Sequence, residues 1–512
     1  MAFIVERTKL TEYEREQYDS GWTNHAFNQF ASDRISVRRH IADVREGLCR
    51  SPSFSSNLPP TAVIICFHNE CWSTLLRSVH SVLDTTPENL LKEIILVDDY
   101  STYDYLKLPL DQYVKQLTKV KVIHTEKREG LIRARLIGMN ATTAEVLTFL
   151  DSHIECTEGW LEPLLECIHA NHSSVVSPVI DRIHDDTFAY DPLMLNDIRV
   201  GGFDWDLSFR WHFPPQRDLS RPGAPYSPIN TPTIAGGLFS IHRGFFERLG
   251  FYDQQMEIWG GENLELSFKA CVITWMCGGS LKIHPCSHIG HVFRAKSPYA
   301  KSDDAEKIVY RNLIRLAEVW MDKYKGYFYE KFDFALDQFG DISERKALRA
   351  QLQCRSFGWY LDNVFPEMFV PSKALASGDI ENRQLAICID ASIMKTQPHL
   401  HILQGYPCRR QGGNQLWFWT HNREIRRQNK CWTVDEKSLL VSMFRCQGRS
   451  VQKFEYTKDG TLQYKNLCIE LDSNNVSIYL AYCTGMPNQV WKFARIAYSP
   501  PVGYTIASSP IR

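Results

Sequence analysis

Three stretches near the C-terminus repeat one spacing of cysteine, glutamine and aromatic residue, and this repeat limits the possible folds more than any other feature. The units open at Cys388, Cys431 and Cys468, carry a second cysteine at Cys408, Cys446 and Cys483, and close on Gln415-Leu-Trp417, Gln452-Lys-Phe454 and Gln489-Val-Trp491. In each unit the second cysteine precedes the glutamine by six or seven positions. A repeat of about 40 residues cannot bury its own apolar face, so the three are expected to share one core. The closing aromatics then belong inside that core rather than at a ligand. The paired spacing within a chain of 15 cysteines points to an oxidising compartment.

The chain's 512 residues exceed what one core holds, so at least one further domain precedes the repeats. A formal net charge of −1 gives no global field that would draw the protein to nucleic acid or an acidic membrane. No apolar run reaches the roughly 18 residues of a membrane-spanning helix. Met1–Val5 is followed at once by Glu6, Arg7 and Lys9, which is too short for a signal-peptide core. If the protein works in a secretory lumen, its membrane anchor is expected to be missing from this chain.

From residue 60, apolar β-rich runs alternate with helical patterns. Strands are expected at Thr61–Phe67, Glu93–Val97, Val120–His124 and Val146–Leu150. Helices are expected at about 71–83, near 104–117 and at about 130–140, the first with Leu75, Leu76, Val79 and Val82 on one face. That alternation implies βαβ units and a parallel sheet, with ligands bound beyond the carboxyl ends of the strands. Two strands end in acids, at Asp98-Asp99 and at Asp151-Ser152-His153. Asp-x-His on extended chain puts a carboxylate and an imidazole on one side, about 6–7 Å apart, where both can reach one divalent cation. The tripeptide fits equally a strand-end cap beside a surface histidine. Trp259-Gly-Gly-Glu-Asn263 opens a helical pattern, and its paired glycines permit close backbone approach to a ligand. Glu262 and Asn263 there are also ordinary first-turn residues. His288 and His291 both offer a later imidazole, and Arg128 suits either a diphosphate or a neighbouring acid.

These residues resemble the polypeptide N-acetylgalactosaminyltransferase family over nearly the whole chain. The resemblance runs in order through Cys66-Phe-His-Asn-Glu70 with Trp72-Ser-Thr-Leu-Leu76, then Arg128–Arg135, Thr148–His153 with Gly159–Pro163, and Ala235–Ser240. It continues through Ile258–Asn263, Gly290–Arg294 and Glu318–Asp322. It implies a GT-A-type, Rossmann-like α/β nucleotide-sugar domain. The implied activity is retaining, Mn2+-dependent transfer of GalNAc from UDP-GalNAc to Ser or Thr hydroxyls of polypeptides, initiating mucin-type O-glycosylation in the Golgi lumen. By resemblance, Asp151, His153 and His291 are the metal ligands. Asp99, Arg128, Ser152, Trp259, Arg294 and Tyr299 contact the donor, and Glu262, Asn263 and Arg294 form the catalytic face. The family's favoured account is a front-face displacement assisted by the leaving diphosphate. The family also implies the disulfides Cys49–Cys286 and Cys277–Cys354, beside Cys388–Cys408, Cys431–Cys446 and Cys468–Cys483 in the repeats.

The repeats resemble ricin-type lectin modules, which implies an all-β C-terminal β-trefoil. Sugar binding in such modules uses an Asp shortly after the first cysteine and an Asn just before the glutamine. The first unit keeps both, as Asp390 and Asn414, with Arg409 at a usual His position. The second unit has lost both, and the third has Glu470 and Asn488. The first repeat is therefore the expected site for GalNAc-bearing glycopeptide. The expected layout is an N-terminal segment 1–57, the transferase domain 58–356, a linker 357–383, the lectin domain 384–498 and a tail 499–512.

Three departures from the family pattern stand out. Ala300–Ala305 replaces a Phe-Pro-Gly-Gly type stretch, Lys269–Cys277 looks longer than usual, and Ile154 stands where a Cys is common. They open an alternative reading, a catalytically weak paralogue that binds peptide or GalNAc-glycopeptide. A related enzyme using another nucleotide sugar is a third.

Overall fold

Thr61-Ala-Val-Ile-Ile-Cys-Phe67 is apolar at almost every position, the signature of a strand covered on both faces, and it forms the central strand β1 of a mixed sheet. In the computed structural model, residues 2–50, 54–277, 279–294, 305–329, 338–382, 384–394, 397–410, 413–472, 474 and 476–496 are described. The chain divides into two compact units, Met1–Pro366 and Glu367–Arg512. No helix among the described residues is long and apolar enough to cross a membrane.

In the first unit, β1 (Thr61–Phe67) pairs in parallel with both β2 (Leu91–Asp98) and β4 (Val146–Leu150), while β3 (Val120–His124) adds beyond β2. The chain therefore reverses direction across the sheet between β1 and β4, and a crevice opens above their carboxyl ends. The helix Trp72–Thr85 buries Leu75, Leu76, Val79 and Val82 in the core beneath.

Beyond β4 the sheet ceases to be parallel. The short β5 (Ile154–Cys156) is followed by β6 (Ser174–His184), β7 (Tyr190–Asp191), β8 (Val200–Phe203), β9 (Phe209–His212), β10 (Ile229–Asn230), β11 (Phe239–His242) and β12 (Ser280–Phe293). β11 runs antiparallel between β4 and β6, and β12 runs parallel to β6. The four strands expected from the sequence are parallel to one another, and the later strands make the sheet mixed. The inserted β11 has only four residues, too few for a legible strand pattern. The register of β12 shifts between His284 and His288, and Cys286 in that bulge is bonded to Cys49.

In the second unit the three repeats bury one shared core that includes Ile389, Trp417, Trp432, Phe454, Ile469 and Trp491. The disulfides Cys388–Cys408, Cys431–Cys446 and Cys468–Cys483 are formed. The pairing Cys277–Cys354 involves a side chain, Cys277, outside the described residues. Segment 357–383, expected as a linker, is instead structured. Phe357–Asn363 is a helix capped by Ser356, and Ala376–Asn382 is a strand paired with Trp491–Ile496. Within it Gly378 adopts a φ of 100° where the ladder shifts register, at a bulge.

The repeated glutamine has the same task in every unit. Gln415, Gln452 and Gln489 each accept, through Oε1, the backbone N–H of the residue after the second cysteine (2.9, 2.7 and 2.8 Å). Each donates from Nε2 to the carbonyl of the residue before it (3.1, 2.9 and 2.8 Å). All three glutamines are buried, so losing one strands two backbone groups. Gln452→Ala is expected to lower unfolding free energy by about 1–3 kcal/mol, read as a shift in the denaturant midpoint of the full chain. An unchanged midpoint would contradict the clamp.

Candidate functional site

The carboxyl ends of β1, β2 and β4 each deliver polar residues to the crevice. β1 is followed by His68, Asn69 and Glu70, β2 by Asp99, and β4 by Asp151, Ser152 and His153. His291 comes from the far end of β12. β5 pairs antiparallel with that end, setting Ile154 opposite His291, and His153 O accepts the N–H of Val292 (3.1 Å). His291 Nε2 consequently lies 3.2 Å from Asp151 Oδ2, and the His153 and His291 rings meet edge to face at 4.7 Å. One potential ligand atom from each of Asp151, His153 and His291 lies within 4.8 Å of the others. Gly237 makes room for the cluster, because a Cβ there would fall 2.3 Å from Asp151 Oδ2.

Electrostatics keeps Asp151 and His153 in ligand form. Burial alone would raise the Asp151 carboxyl, but the His291 hydrogen bond and the nearby His291, His153 and Arg135 hold it far below the usual carboxylate range. Burial, reinforced by Arg294, pushes His153 down to about 4 despite the opposing pull of Glu70. A neutral imidazole and an ionised carboxylate are the forms that bind a cation. His288 is a different kind of histidine. It is buried, with Nδ1 on Asp181 (3.0 Å) and Nε2 on Pro285 O (3.0 Å), and it serves the scaffold.

Glu70 organises the neighbourhood, a role not recognised from the sequence. Its Oε2 lies 2.9 Å from His153 Nδ1 and accepts from Ser152 Oγ (2.9 Å) and Arg294 Nη2 (2.9 Å). Its Oε1 accepts the N–H of Cys71 (2.9 Å) at the start of the helix Trp72–Thr85. Burial would raise this carboxyl, but Arg294 and His153 carry it well below its ordinary value. Ser152 thus spends its hydroxyl on Glu70. Arg135 was missed as well. It is fully buried, 3.7 Å from Asp151 Oδ1, and it donates to Tyr252 Oη (3.4 Å). For Arg135 the sequence signal is a charge inside an otherwise apolar helical pattern.

The remaining site residues line the same cavity of about 440 Å3 with Asp151, His153 and His291: Asp99, Arg128, Ser152, Trp259, Glu262 and Arg294. Asp99 accepts the backbone N–H groups of Glu129 (2.6 Å) and Gly130 (2.9 Å) and pairs with Arg128. The open choice for Arg128 is thereby met by a neighbouring acid in this structure. Gly130 has a φ of 84°, and a Cβ on it would fall 2.7 Å from the backbone of Ile258, so the loop carrying Asp99's partners abuts the loop carrying Trp259. Trp259 is 53% exposed. Glu262 is buried at the first turn of the helix Glu262–Cys277, where Oε2 accepts the N–H of Gly260 (2.7 Å). Its carboxyl is raised by burial, against the pull of Arg135. Asn263 donates to Ile234 O (3.3 Å) and packs on Gly236 beside the cavity. Cys66 also faces the cavity, and burial pushes its thiol up to about 12, so it is a neutral lining. Tyr299 and residues 300–304 lie outside the described residues, as do the side chains of 270–277.

In the second unit, Asp390 lies on the strand Ile387–Met394 and is buried, and Asn414 lies on the turn Gly413–Gln415. Asn414 Oδ1 accepts from Arg427 Nη1 (2.7 Å). In the third repeat, Glu470 is already engaged by Gln489 Nε2 (2.6 Å) and Tyr479 Oη (2.8 Å). Thr433 fills the corresponding position of the second and bonds Gln452 Nε2 (2.9 Å).

Residues 62–246 match the family model of Glycosyl transferase family 2, and residues 376–491 match that of the Ricin-type beta-trefoil lectin domain. The chain is 49% identical over 500 residues to polypeptide N-acetylgalactosaminyltransferase 5 of Caenorhabditis elegans, spanning 96% of this chain and 79% of that protein. It is 46% identical over 491 residues to putative polypeptide N-acetylgalactosaminyltransferase 9 of Drosophila melanogaster, spanning 94% and 74%. Among solved structures it resembles GalNAc-T7 crystallised with UDP, GalNAc and Mn2+, with a TM-score of 0.66 and 32% identity over 97% of this chain and 92% of that one.

The Gly237 contact gives a test of the cluster. Gly237→Ala is expected to displace Asp151 and weaken divalent-cation binding at least tenfold in a calorimetric titration, with only a small change in melting temperature. Wild-type affinity in the variant would show that the cluster does not depend on this approach.

Proposed function

Because the chain belongs to the polypeptide N-acetylgalactosaminyltransferase family, we propose that it transfers GalNAc from UDP-GalNAc to Ser and Thr hydroxyls of polypeptides, with retention and with Mn2+ held by Asp151, His153 and His291. The observation that carries this reading is the convergence of those three side chains beside a cavity that also presents Asp99, Arg128, Trp259 and Arg294. The donor set fits the ion: one carboxylate and two imidazoles suit Mn2+ among first-row metals. His153 Nδ1 is held by Glu70, which leaves Nε2 as its ligand nitrogen. Among the described residues, the buried His291 Nδ1 has no hydrogen-bond partner.

When bound, the cation supplies Lewis-acid charge for the departing diphosphate. The protein's own groups do the rest. Arg294, held at the cavity by Glu70, provides a fixed positive charge where negative charge builds on UDP. Arg128 and Asp99 bind and orient the nucleotide, with the Ser152 segment beneath it, and Trp259 covers the sugar diphosphate. Glu262 and Asn263 face the sugar, and Tyr299 adds a diphosphate contact. Bond making from the acceptor hydroxyl and bond breaking to the diphosphate occur on one face of the sugar, with the hydroxyl proton passing to a diphosphate oxygen. In the second unit, Asp390 and Asn414 recognise GalNAc already present on a glycopeptide. The disulfides support work in an oxidising lumen, which we assign to the Golgi.

Incubation with UDP-GalNAc, Mn2+ and a Thr/Ser-rich peptide is expected to yield GalNAc-peptide. His291→Ala should cut turnover by about 100-fold or more while the protein still melts cooperatively. Unchanged turnover would remove His291 from the ligand set. No transfer by the wild type, with retention on a GalNAc column, would favour the binding-protein alternative raised by Ala300–Ala305. UDP-GlcNAc and UDP-Glc in parallel reactions test donor choice. Separately, Asp390→Ala is expected to abolish GalNAc-inhibitable glycopeptide binding and leave transfer to naked peptide nearly intact. Glycopeptide binding that survives the change would move the sugar site elsewhere.

A further inference from the structure

β4 carries a potential metal-ligating acid at each end. Asp151 follows its last residue, and Glu145 precedes its first, at the opposite edge of the sheet. β11 runs antiparallel to β4 and ends there, with His242 opposite Val146, and the N–H of Arg243 donates to Glu145 O (2.8 Å). β6 also starts at that edge, just after His172. Residues 145, 172 and 242, distant in sequence, are thus gathered by the sheet's topology. The His172 and His242 rings are 4.4 Å apart and 6° from parallel, and His242 Nε2 is 3.4 Å from Glu145 Oε1. One potential ligand atom from each of the three lies within 4.8 Å of the others.

We propose that Glu145, His172 and His242 form a Zn2+ site at the edge of the sheet opposite the catalytic cavity. Two imidazoles and one carboxylate are a common zinc donor set, and three protein ligands leave a fourth position for water. Ligand atoms on tetrahedral Zn2+ stand about 3.3 Å apart, and the stacked rings direct their nitrogens in parallel, so closure needs one ring to turn toward the other as well as shifts of about 1 Å. Glu145 and His172 are exposed and can move that far by side-chain rotation. The surrounding backbone is held in place. Arg243 donates to the carbonyls of Met139 (2.9 Å), Thr142 (2.7 Å) and Ala144 (2.9 Å), fixing the approach to Glu145. Arg248 donates to Ser173 Oγ (3.0 Å), fixing the turn that carries His172.

The site is about 20 Å from Asp151, the length of the intervening strand, and shares no residue with the cavity. Its occupation would tie together the edges of three strands, so bound Zn2+ should raise the melting temperature. The test is a titration of the full chain with ZnCl2, followed by calorimetry and thermal melting, on wild type and on His172→Ala, His242→Ala, Glu145→Gln and His291→Ala. One Zn2+ equivalent should be lost, or weakened at least tenfold, in each of the first three variants, together with its share of the Zn2+-induced rise in melting temperature. The same equivalent should persist in His291→Ala, which disables only the cavity cluster. Glu145→Gln can still hydrogen-bond His242 and controls for loss of packing. Zn2+ stoichiometry and affinity unchanged by His172→Ala and His242→Ala would overturn the proposal, as would a wild type that binds no Zn2+ equivalent at this edge.

Discussion

The cavity depends on a ladder of three residues. Asp151 and His153 come together by chain continuity, because β4 ends and β5 begins around them. His291 lies 140 residues after Asp151 and arrives only because β5 pairs with the end of β12. Side chains alternate along a strand, so a one-residue slip in that ladder would turn His291 away from Asp151. The register is fixed upstream. β12 follows β6 from Ser280 to His284, bulges, and resumes at His288, and the bulge holds Cys286, bonded to Cys49. A disulfide outside the cavity therefore pins the irregular stretch that sets which face His291 presents.

Within the cavity, one buried carboxylate couples parts that would otherwise act separately. Glu70 reaches His153, Ser152, Arg294 and the N-terminus of a helix at once. A buried carboxylate is tolerable only when several donors and charges compensate its lost hydration, and here they do. The same bonds orient the His153 ring and hold the Arg294 guanidinium at the rim. The position of the fixed cation and the geometry of the proposed ligand set thus depend on one side chain that would touch neither metal nor sugar.

Much of this was legible in the sequence, and what was missed has physical reasons. β1, β3 and β4 were read to the residue because apolar runs bounded by polar turns leave little choice. The acids at strand ends pointed to the cavity because an open α/β sheet offers ligands that edge. The role of Glu70 is illegible in the sequence, since its partners lie 83 and 224 residues away. The helix Phe357–Asn363 was passed over although Ser356 caps it through the N–H of Trp359. The turn of β11 against the parallel strands was illegible, because four residues carry no periodicity and strand direction leaves no compositional trace.

The repeats of the second unit separate what maintains a fold from what recognises a ligand. The glutamine clamp on the backbone around the second cysteine is present in all three units. The residue two places after the first cysteine is under a different pressure. In the third unit Glu470 is drawn into the clamp by Gln489, and in the second Thr433 does the same with a hydroxyl. Once an acid at that position serves the interior, its oxygens are no longer available to a sugar, whatever its charge. Recognition can therefore lapse in one unit at no cost to the core that all three share, which is why three similar repeats need not mean three binding sites.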